Sequence, residues 1–260
     1  MYPRDVFLGM DFYDIFLVLA VFSAMFYFRI WADKLAFSTK YHNLVIASAM
    51  VAVFGGYGSA VLAQAFYDYL ESGVFAFRGA TFYGGLVGGA LLFLLVYFVA
   101  GHYFVRREIT VPRFFLLSEI AAGAIAVAHG LGRIGCLFAG CCHGAITDAW
   151  YGIYNAGLDA KTVPLQLFEA LFLFALAAYL TVRLWKGRHG NLGVYLCLYA
   201  VWRFSLEFFR TDRRGQSPIP GLSPSQFTAV LLILVGVALW VLEYKLMTRA
   251  ASKSGGESDA

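Results

Sequence analysis

The chain has 260 residues, of which 60% are hydrophobic and 14% are charged, with a formal net charge of +4. An ordinary soluble domain carries about 25% charged residues, so this composition excludes a soluble globular protein. The small positive charge needs nothing beyond loops at an anionic lipid surface, and nothing in the sequence resembles a nucleic-acid-binding site. The composition therefore predicts an integral membrane protein.

Long apolar runs follow one another along the whole chain. Spanning a bilayer takes about 20 apolar residues per helix, and continuous runs lack the alternation of a membrane β-barrel. The sequence predicts an all-α membrane protein of about seven transmembrane helices, with residues 1–249 as one polytopic domain and 250–260 as a disordered cytoplasmic tail. The predicted spans are Phe12–Trp31, Leu44–Tyr69, Phe82–Phe104, Phe114–Phe138, Leu165–Trp185, Leu192–Phe209 and Phe227–Leu246.

The charges near the ends of these spans predict how the chain is oriented. Asp5, Asp11 and Asp14 interrupt the beginning of the chain, so we expect the first helix to be retained rather than cleaved as a signal peptide. The side with more basic residues is expected to be cytoplasmic, which places the N-terminus outside and the C-terminus inside. On this orientation the longest loop, 144–163, is external and is placed to cap a site. The cytoplasmic side would hold Lys34, Lys40, Arg106, Arg107, Arg113, Arg183, Lys186, Arg188, Lys245, Arg249 and Lys253, and the other side Arg4, Arg78, Lys161, Arg210, Arg213 and Arg214.

Charged residues inside predicted spans are candidates for function, because charge at bilayer depth is costly. Arg203, Glu207 and Arg210 are spaced to share one face of the sixth helix. One interpretation is a structural ion pair, with Arg210 reaching towards the interface. The other is an anion site, since the planar guanidinium group suits phosphate.

A second candidate is the glycine-rich and cysteine-rich segment 128–144, which contains Arg133. Its five glycines predict an interrupted helix, and broken backbone at membrane depth is tolerated where it lines a cavity. The alternative is close packing through small residues, with Arg133 paired to Glu119 or Glu169.

The third candidate is the segment 82–89, in which Gly84 with Gly88 and Gly85 with Gly89 are spaced for close contact between helices. Packing is the expected role of these glycines. Tyr83 is either an interfacial aromatic residue or a hydroxyl directed at substrate.

Five short motifs follow one another along the chain: Tyr83-Gly84-Gly85-Leu86, Gly132-Arg133-Ile134-Gly135, Pro164-Leu165-Gln166-Leu167-Phe168-Glu169, Arg203-Phe204-Ser205-Leu206-Glu207-Phe208-Phe209-Arg210 and Leu222-Ser223-Pro224-Ser225-Gln226. Taken together, these motifs resemble the bacterial prolipoprotein diacylglyceryl transferases. The resemblance extends from the first helix, where Tyr13 matches a family tyrosine, to the seventh, and the family's plan is seven helices with an external N-terminus.

The resemblance implies a transferase of the bacterial cytoplasmic (inner) membrane. Such enzymes move the diacylglyceryl group of phosphatidylglycerol to the lipobox cysteine of a preprolipoprotein, or here another thiol acceptor, and release glycerol phosphate, without a cofactor. The resemblance also implies that Arg133, Arg203 and Arg210 bind the phosphate head group and that Glu207 orients Arg203. Tyr13 and Gln166 are expected as further contacts to the head group.

The sequence departs from the family pattern in the polar residues of the signature. Cys136 and Ala139 stand at the two asparagine positions, and Cys141 stands at the glutamate position. Tyr83 replaces the family's histidine before Gly-Gly-Leu, and Val163 replaces the histidine before Pro164. A tyrosine, with an ordinary pKa of about 10, is a weak base near neutrality.

The replacements form a group of thiols, Cys136, Cys141 and Cys142, with His143 beside it. We predict a functional role for these cysteines together with Tyr83, and several chemistries stay open: a covalent intermediate, a redox pair, or a soft-metal site, although the spacing matches no zinc signature. Packing is the alternative, and it is the interpretation favoured for Cys197. A relative that binds lipid without catalysis also remains open.

Overall fold

The computed structural model describes residues 6, 9–105, 107–211 and 219–256, apart from the side chains of 71, 82, 83, 107–112, 244 and 246–256. Within this part of the chain, seven helices are long and apolar enough to cross a membrane, as predicted. They are α1 (Phe12–Lys34), α2 (Thr39–Ser72), α3 (Phe82–Phe104), α4 (Arg107–Ala139), α5 (Leu165–Trp185), α6 (Asn191–Leu206) and α7 (Pro224–Gly256).

Two local features differ from the predicted helices. A 3₁₀ turn, Glu207–Phe209, follows α6, so the regular α-helix ends three residues before the predicted span does. The loop between α4 and α5 contains a two-stranded antiparallel hairpin of β1 (Ile153–Asn155) and β2 (Ala160–Thr162), which was not predicted.

The last helix, α7, continues to Gly256 and so extends into the predicted tail 250–260. Residues 257–260 lie outside the described part of the chain.

The prediction of an interrupted helix in segment 128–144 was wrong for most of its length. α4 runs without a break through Gly130, Gly132 and Gly135 and ends at Ala139. Gly130 and Gly135 are explained by packing, because a Cβ at Gly130 would meet the ring of Phe174 and a Cβ at Gly135 would lie 3.3 Å from Cδ2 of Tyr13. The backbone turns only at Gly140, which has a φ of +71°.

The chain divides into two compact units, so the single domain predicted over residues 1–249 stays a prediction. Unit 1 comprises Met1–Ile30 and Leu117–Ala260, and unit 2 comprises Trp31–Leu116. The core of unit 1 lies where α4, α5 and α6 meet, and it includes Ala122, Ala126, Leu173, Leu180 and Tyr195.

Unit 2 is built on α2 and α3, which approach closely through glycines. A Cβ at Gly89 would lie only 3.0 Å from the carbonyl oxygen of Ala52, and a Cβ at Gly84 would meet the side chain of Ala63. The packing role predicted for the glycines of segment 82–89 is therefore confirmed. At the other end of the unit, the hydroxyl groups of Tyr41 and Tyr97 lie 2.8 Å apart.

Candidate functional site

The candidate site lies in unit 1, along the contact of α4 and α6. Residues four apart in each helix face the partner helix and form successive polar contacts. His129 Nδ1 lies 3.1 Å from the Tyr195 hydroxyl, and one turn further along, Arg133 Nη2 donates to the Tyr199 hydroxyl at 3.5 Å. Arg203 follows one turn after Tyr199 on α6.

Arg133 is held by a carboxylate from α5. Its Nε lies 3.1 Å from Oε2 of Glu169, whose side chain is only 2% exposed. The other carboxylate oxygen of Glu169 accepts a 2.9 Å hydrogen bond from Tyr199. Of the two partners considered for Arg133, the structure selects Glu169, and Tyr199 bridges the ion pair to α6.

Glu119, the other candidate partner, lies at the opposite end of α5 and α6 within unit 1. It accepts backbone hydrogen bonds from Gly190 at 2.6 Å and from Asn191 at 2.7 Å. It therefore caps the beginning of α6, where the positive end of the helix dipole favours an anion. Glu119 has no contact with Arg133 and serves a structural role.

Arg203 forms a second polar group with residues of the 3₁₀ turn and of α7. Its Nη2 lies 3.1 Å from Oε2 of Glu207 and donates to Ser225 Oγ at 2.8 Å. Arg210 Nε lies 3.9 Å from the same carboxylate oxygen. The three charged residues predicted to share a face are thus brought together around Glu207.

The side chain of Arg210 is only 3% exposed and so lies among other residues of unit 1, and its reach towards the interface stays a prediction. Its backbone pairs in a short antiparallel bridge with Gly144, at the start of the loop that follows α4. Gly144 has no space for a side chain, since a Cβ there would lie 3.1 Å from the carbonyl oxygen of Phe209. This bridge joins the end of the arginine group to the loop that carries Cys141 and Cys142.

The Arg133 and Arg203 groups are separate ion pairs on one helix contact. Both guanidinium charges act on Tyr199, which accepts a hydrogen bond from Arg133 and lies one turn before Arg203 on α6. Nη1 of Arg203 is buried and has no hydrogen-bond partner among the described residues. A buried donor without a partner is costly, so this nitrogen is a candidate contact for a ligand oxygen.

The three cysteines are brought together by the turn at the end of α4. Their Sγ atoms all lie within 4.8 Å of one another. Tyr13 lies within electrostatic reach of all three and of Arg133, which places α1 beside the group. Contact with Cys136 lowers the pKa of the Cys141 thiol, but contact with Cys142 and burial outweigh this effect and raise the pKa above its ordinary value.

Gln166 connects the cysteines to α5, because its Nε2 donates to the carbonyl oxygen of Cys141. Its Oε1 is buried without a partner in the described part of the chain. Gln166 also lines a small recess together with Leu137, Gly140 and Asn155. Neither Arg133 nor Arg203 lines this recess.

Of the other predicted residues, Cys197 is not part of this group. Cys197 lies on α6 against α7, with Sγ 3.9 Å from the carbonyl oxygen of Ile233, in agreement with a packing role. The side chain of Tyr83 lies outside the described residues, as do Arg213 and Arg214. Tyr195 and Tyr199 were not predicted; they lie eight and four residues before Arg203, and this helical spacing is the signal that could have indicated them.

The sequence also matches known proteins over most of its length. The family model for prolipoprotein diacylglyceryl transferase matches residues 6–242. A phosphatidylglycerol–prolipoprotein diacylglyceryl transferase 2 of Clostridium perfringens is 33% identical over 63% of this chain, and an enzyme named as a phosphatidylglycerol–prolipoprotein diacylglyceryl transferase in Clostridium tetani is 30% identical over 64%. These two alignments span 62% and 65% of the relatives' own lengths. A protein of the same name from Dehalococcoides mccartyi strain BAV1 is 27% identical over 88% of this chain and 87% of its own length.

Proposed function

This chain belongs to the prolipoprotein diacylglyceryl transferase family, and on that premise we propose that it transfers a diacylglyceryl group from phosphatidylglycerol to a cysteine thiol of a preprolipoprotein. The observation that carries the proposal is the buried Arg203, which is held on one side by Glu207 and Ser225 and leaves Nη1 without a partner in the described structure. This Nη1 atom is suited to donate a hydrogen bond to a phosphate oxygen, because guanidinium groups form directed hydrogen bonds to phosphate.

The reaction exchanges one bond at a glycerol carbon of the lipid. The acceptor thiol gives its proton to water, its sulfur forms a bond to this carbon, the carbon–oxygen bond to the phosphate breaks, and glycerol phosphate leaves with the electron pair. Negative charge therefore grows on the leaving phosphate, and a donor that is fixed beforehand stabilises this charge without reorganising. Arg203 takes this role in the proposal, and Glu207 holds both Arg203 and Arg210 in place.

Arg133 is proposed as the second cation at the head group. Glu169 and Tyr199 fix its side chain on the α4 side of the contact, and Tyr199 itself lies one helical turn before Arg203 on α6. Tyr13 and Gln166 are proposed as substrate contacts from α1 and α5. The roles of Tyr83, Cys136, Cys141 and Cys142 in catalysis stay a prediction, as do the external N-terminus and the bacterial inner membrane as the location.

Complementation tests the proposal in cells. The chain is expressed in bacteria depleted of their own diacylglyceryl transferase, next to Arg203→Gln and the matched control Arg188→Gln, whose arginine is exposed and remote from this site. We expect the wild-type chain and Arg188→Gln to restore growth and lipoprotein modification, and Arg203→Gln to fail. Absence of rescue by wild-type protein that is inserted in the membrane contradicts the proposal.

A further inference from the structure

The sulfur atoms of Cys136, Cys141 and Cys142 lie close enough together to serve as ligands of one ion. We propose that Cys136, Cys141 and Cys142 bind a single thiophilic metal ion, Cu(I), through three thiolate ligands. This site goes beyond the transferase reaction and does not depend on it.

The geometry of the turn is the first argument. The amide of Cys141 donates to the carbonyl oxygen of Cys136 at 3.2 Å, so the chain folds back over the last turn of α4. Gly140 and Cys142 both have left-handed backbones, with φ values of +71° and +64°. This reversal places Cys141 and Cys142 beside the side chain of Cys136.

Side chains from β1 and α5 also support this turn. Asn155, on β1, donates to the carbonyl oxygen of Gly140 at 2.8 Å, and Gln166, on α5, donates to that of Cys141. Ligands presented on a supported backbone keep their positions before the ion arrives, and such support strengthens metal binding.

The number and type of ligands identify the ion. Three sulfurs at about 2.3 Å from a central ion, in a trigonal plane, lie about 4 Å from one another. The three Sγ atoms lie within 4.8 Å, so only a small adjustment is needed. Thiolates without oxygen ligands favour soft ions such as Cu(I), whereas Zn(II) prefers four ligands and would need one more. His143 does not supply it in this structure, because neither of its ring nitrogens belongs to the group of ligand atoms that lie within 4.8 Å of one another.

The surrounding charge favours the bound form. Each thiol that becomes a ligand releases its proton to water, and the complex of one Cu(I) with three thiolates carries a charge of −2. The Arg133 guanidinium lies within electrostatic reach of Cys136 and Cys142 and opposes this negative charge.

A disulfide and a covalent lipid intermediate both fit the cluster of three cysteines less well than a metal ion does. A disulfide needs two of the three sulfurs and leaves the third without a role. A covalent lipid intermediate would join a cysteine sulfur to the glycerol carbon as a thioether, and the second transfer would then have to expel that sulfur, which is a poor leaving group.

Metal binding is tested on the full-length protein, purified in detergent, reduced and freed of reductant. Cu(I) is supplied as its coloured bicinchoninate complex, and loss of colour measures transfer to the protein. Cys136→Ser, Cys141→Ser and Cys142→Ser are compared with the matched control Cys197→Ser, which removes the cysteine on α6. A second arm offers Zn(II) with a colorimetric zinc indicator.

We expect the wild type and Cys197→Ser to take one Cu(I) per chain. Each of the other three variants should lose affinity by about 100-fold or more, since loss of even an outer partner of a ligand costs 10- to 100-fold. Substoichiometric uptake by the wild type, equal affinity in all five proteins, or tighter binding of Zn(II) than of Cu(I) overturns the proposal.

A second measurement needs no variant and so does not depend on how well the variants fold. Wild-type protein is treated with iodoacetamide with and without Cu(I), and the labelled cysteines are identified by mass spectrometry. Cu(I) should protect Cys136, Cys141 and Cys142 and leave the labelling of Cys197 unchanged. Equal labelling of the three cysteines with and without Cu(I) contradicts the site.

Discussion

Nε of Arg133 lies 3.1 Å from Oε2 of Glu169, and this ion pair joins α4 to α5. The Arg133 side chain is 14% exposed and the Glu169 side chain is 2% exposed. Tyr199 hydrogen-bonds to both partners and so attaches the pair to α6. One contact therefore fixes the relative positions of three helices in unit 1 and determines where the Arg133 guanidinium points.

Replacing one member of this pair should cost more than replacing both. Glu169→Gln leaves the Arg133 charge buried and unpaired, and removal of one partner from a buried pair destabilises by about 3–5 kcal/mol. Thermal unfolding in detergent should show a clearly lower midpoint for Glu169→Gln than for the double variant Arg133→Gln/Glu169→Gln. Equal midpoints for the single variant and the wild type would show that the pair is not important for stability.

Replacing Arg203 by lysine tests whether the reaction needs only a positive charge at this position or also the planar guanidinium group. Arg203→Lys keeps the positive charge but loses the planar guanidinium group, whose Nη2 contacts Glu207 and Ser225 and whose Nη1 has no partner among the described residues. We expect a decrease in kcat of about 100- to 1000-fold, the range seen when one fixed donor to a transition-state anion is removed. Kinetic assay with phosphatidylglycerol and a lipobox peptide measures it, with Arg188→Gln as the control. Full activity of Arg203→Lys would exclude directed phosphate binding at this position.

Glu119 tests a structural role away from the candidate site. Glu119→Ala removes the acceptor of the Gly190 and Asn191 amides, and hydrogen bonds to a charged group contribute about 1.5–3 kcal/mol each. We expect a lower unfolding midpoint but unchanged kcat per folded molecule, measured by thermal unfolding and by activity at a temperature well below the midpoint. A selective loss of kcat with normal stability would instead connect this end of α6 to the reaction.

The glycines of unit 2 offer a matched pair of substitutions. At Gly89 an added Cβ meets the backbone of Ala52 at 3.0 Å, whereas at Gly58, also within a helix, nothing lies within 4 Å. Gly89→Ala should destabilise by about 1–3 kcal/mol through overpacking. Gly58→Ala should stabilise by up to about 1 kcal/mol, because alanine is the better helix former. Thermal unfolding of the two variants compares them directly, and equal shifts in the same direction would argue against a close α2–α3 contact.

The helices could be predicted because each one is a long apolar run, and the bounds of α3 and α5 agree with the predicted spans to the residue. The break within segment 128–144 could not be placed by counting glycines. The cost of each glycine in a helix is offset in α4 where the missing Cβ admits a ring, as Gly130 admits Phe174. The turn comes at Gly140, where the backbone becomes left-handed.

The polar groups were predicted in part. The spacing of Arg203, Glu207 and Arg210 was enough to bring them together, because they are neighbours within two turns. Which carboxylate would pair with Arg133 was undecided, since this depends on how α5 lies against α4. The hairpin in the α4–α5 loop consists of two three-residue strands, which are too short for a periodic signal.

The most direct measurement of the central claim is mass spectrometry of a lipobox peptide after incubation with the purified protein and phosphatidylglycerol. We predict a peptide whose cysteine has gained one diacylglyceryl group as a thioether, with glycerol phosphate released in equal amount, and no such product with Arg203→Gln. An unmodified peptide in the presence of folded wild-type protein, or a product that forms equally well with Arg203→Gln, would contradict the account.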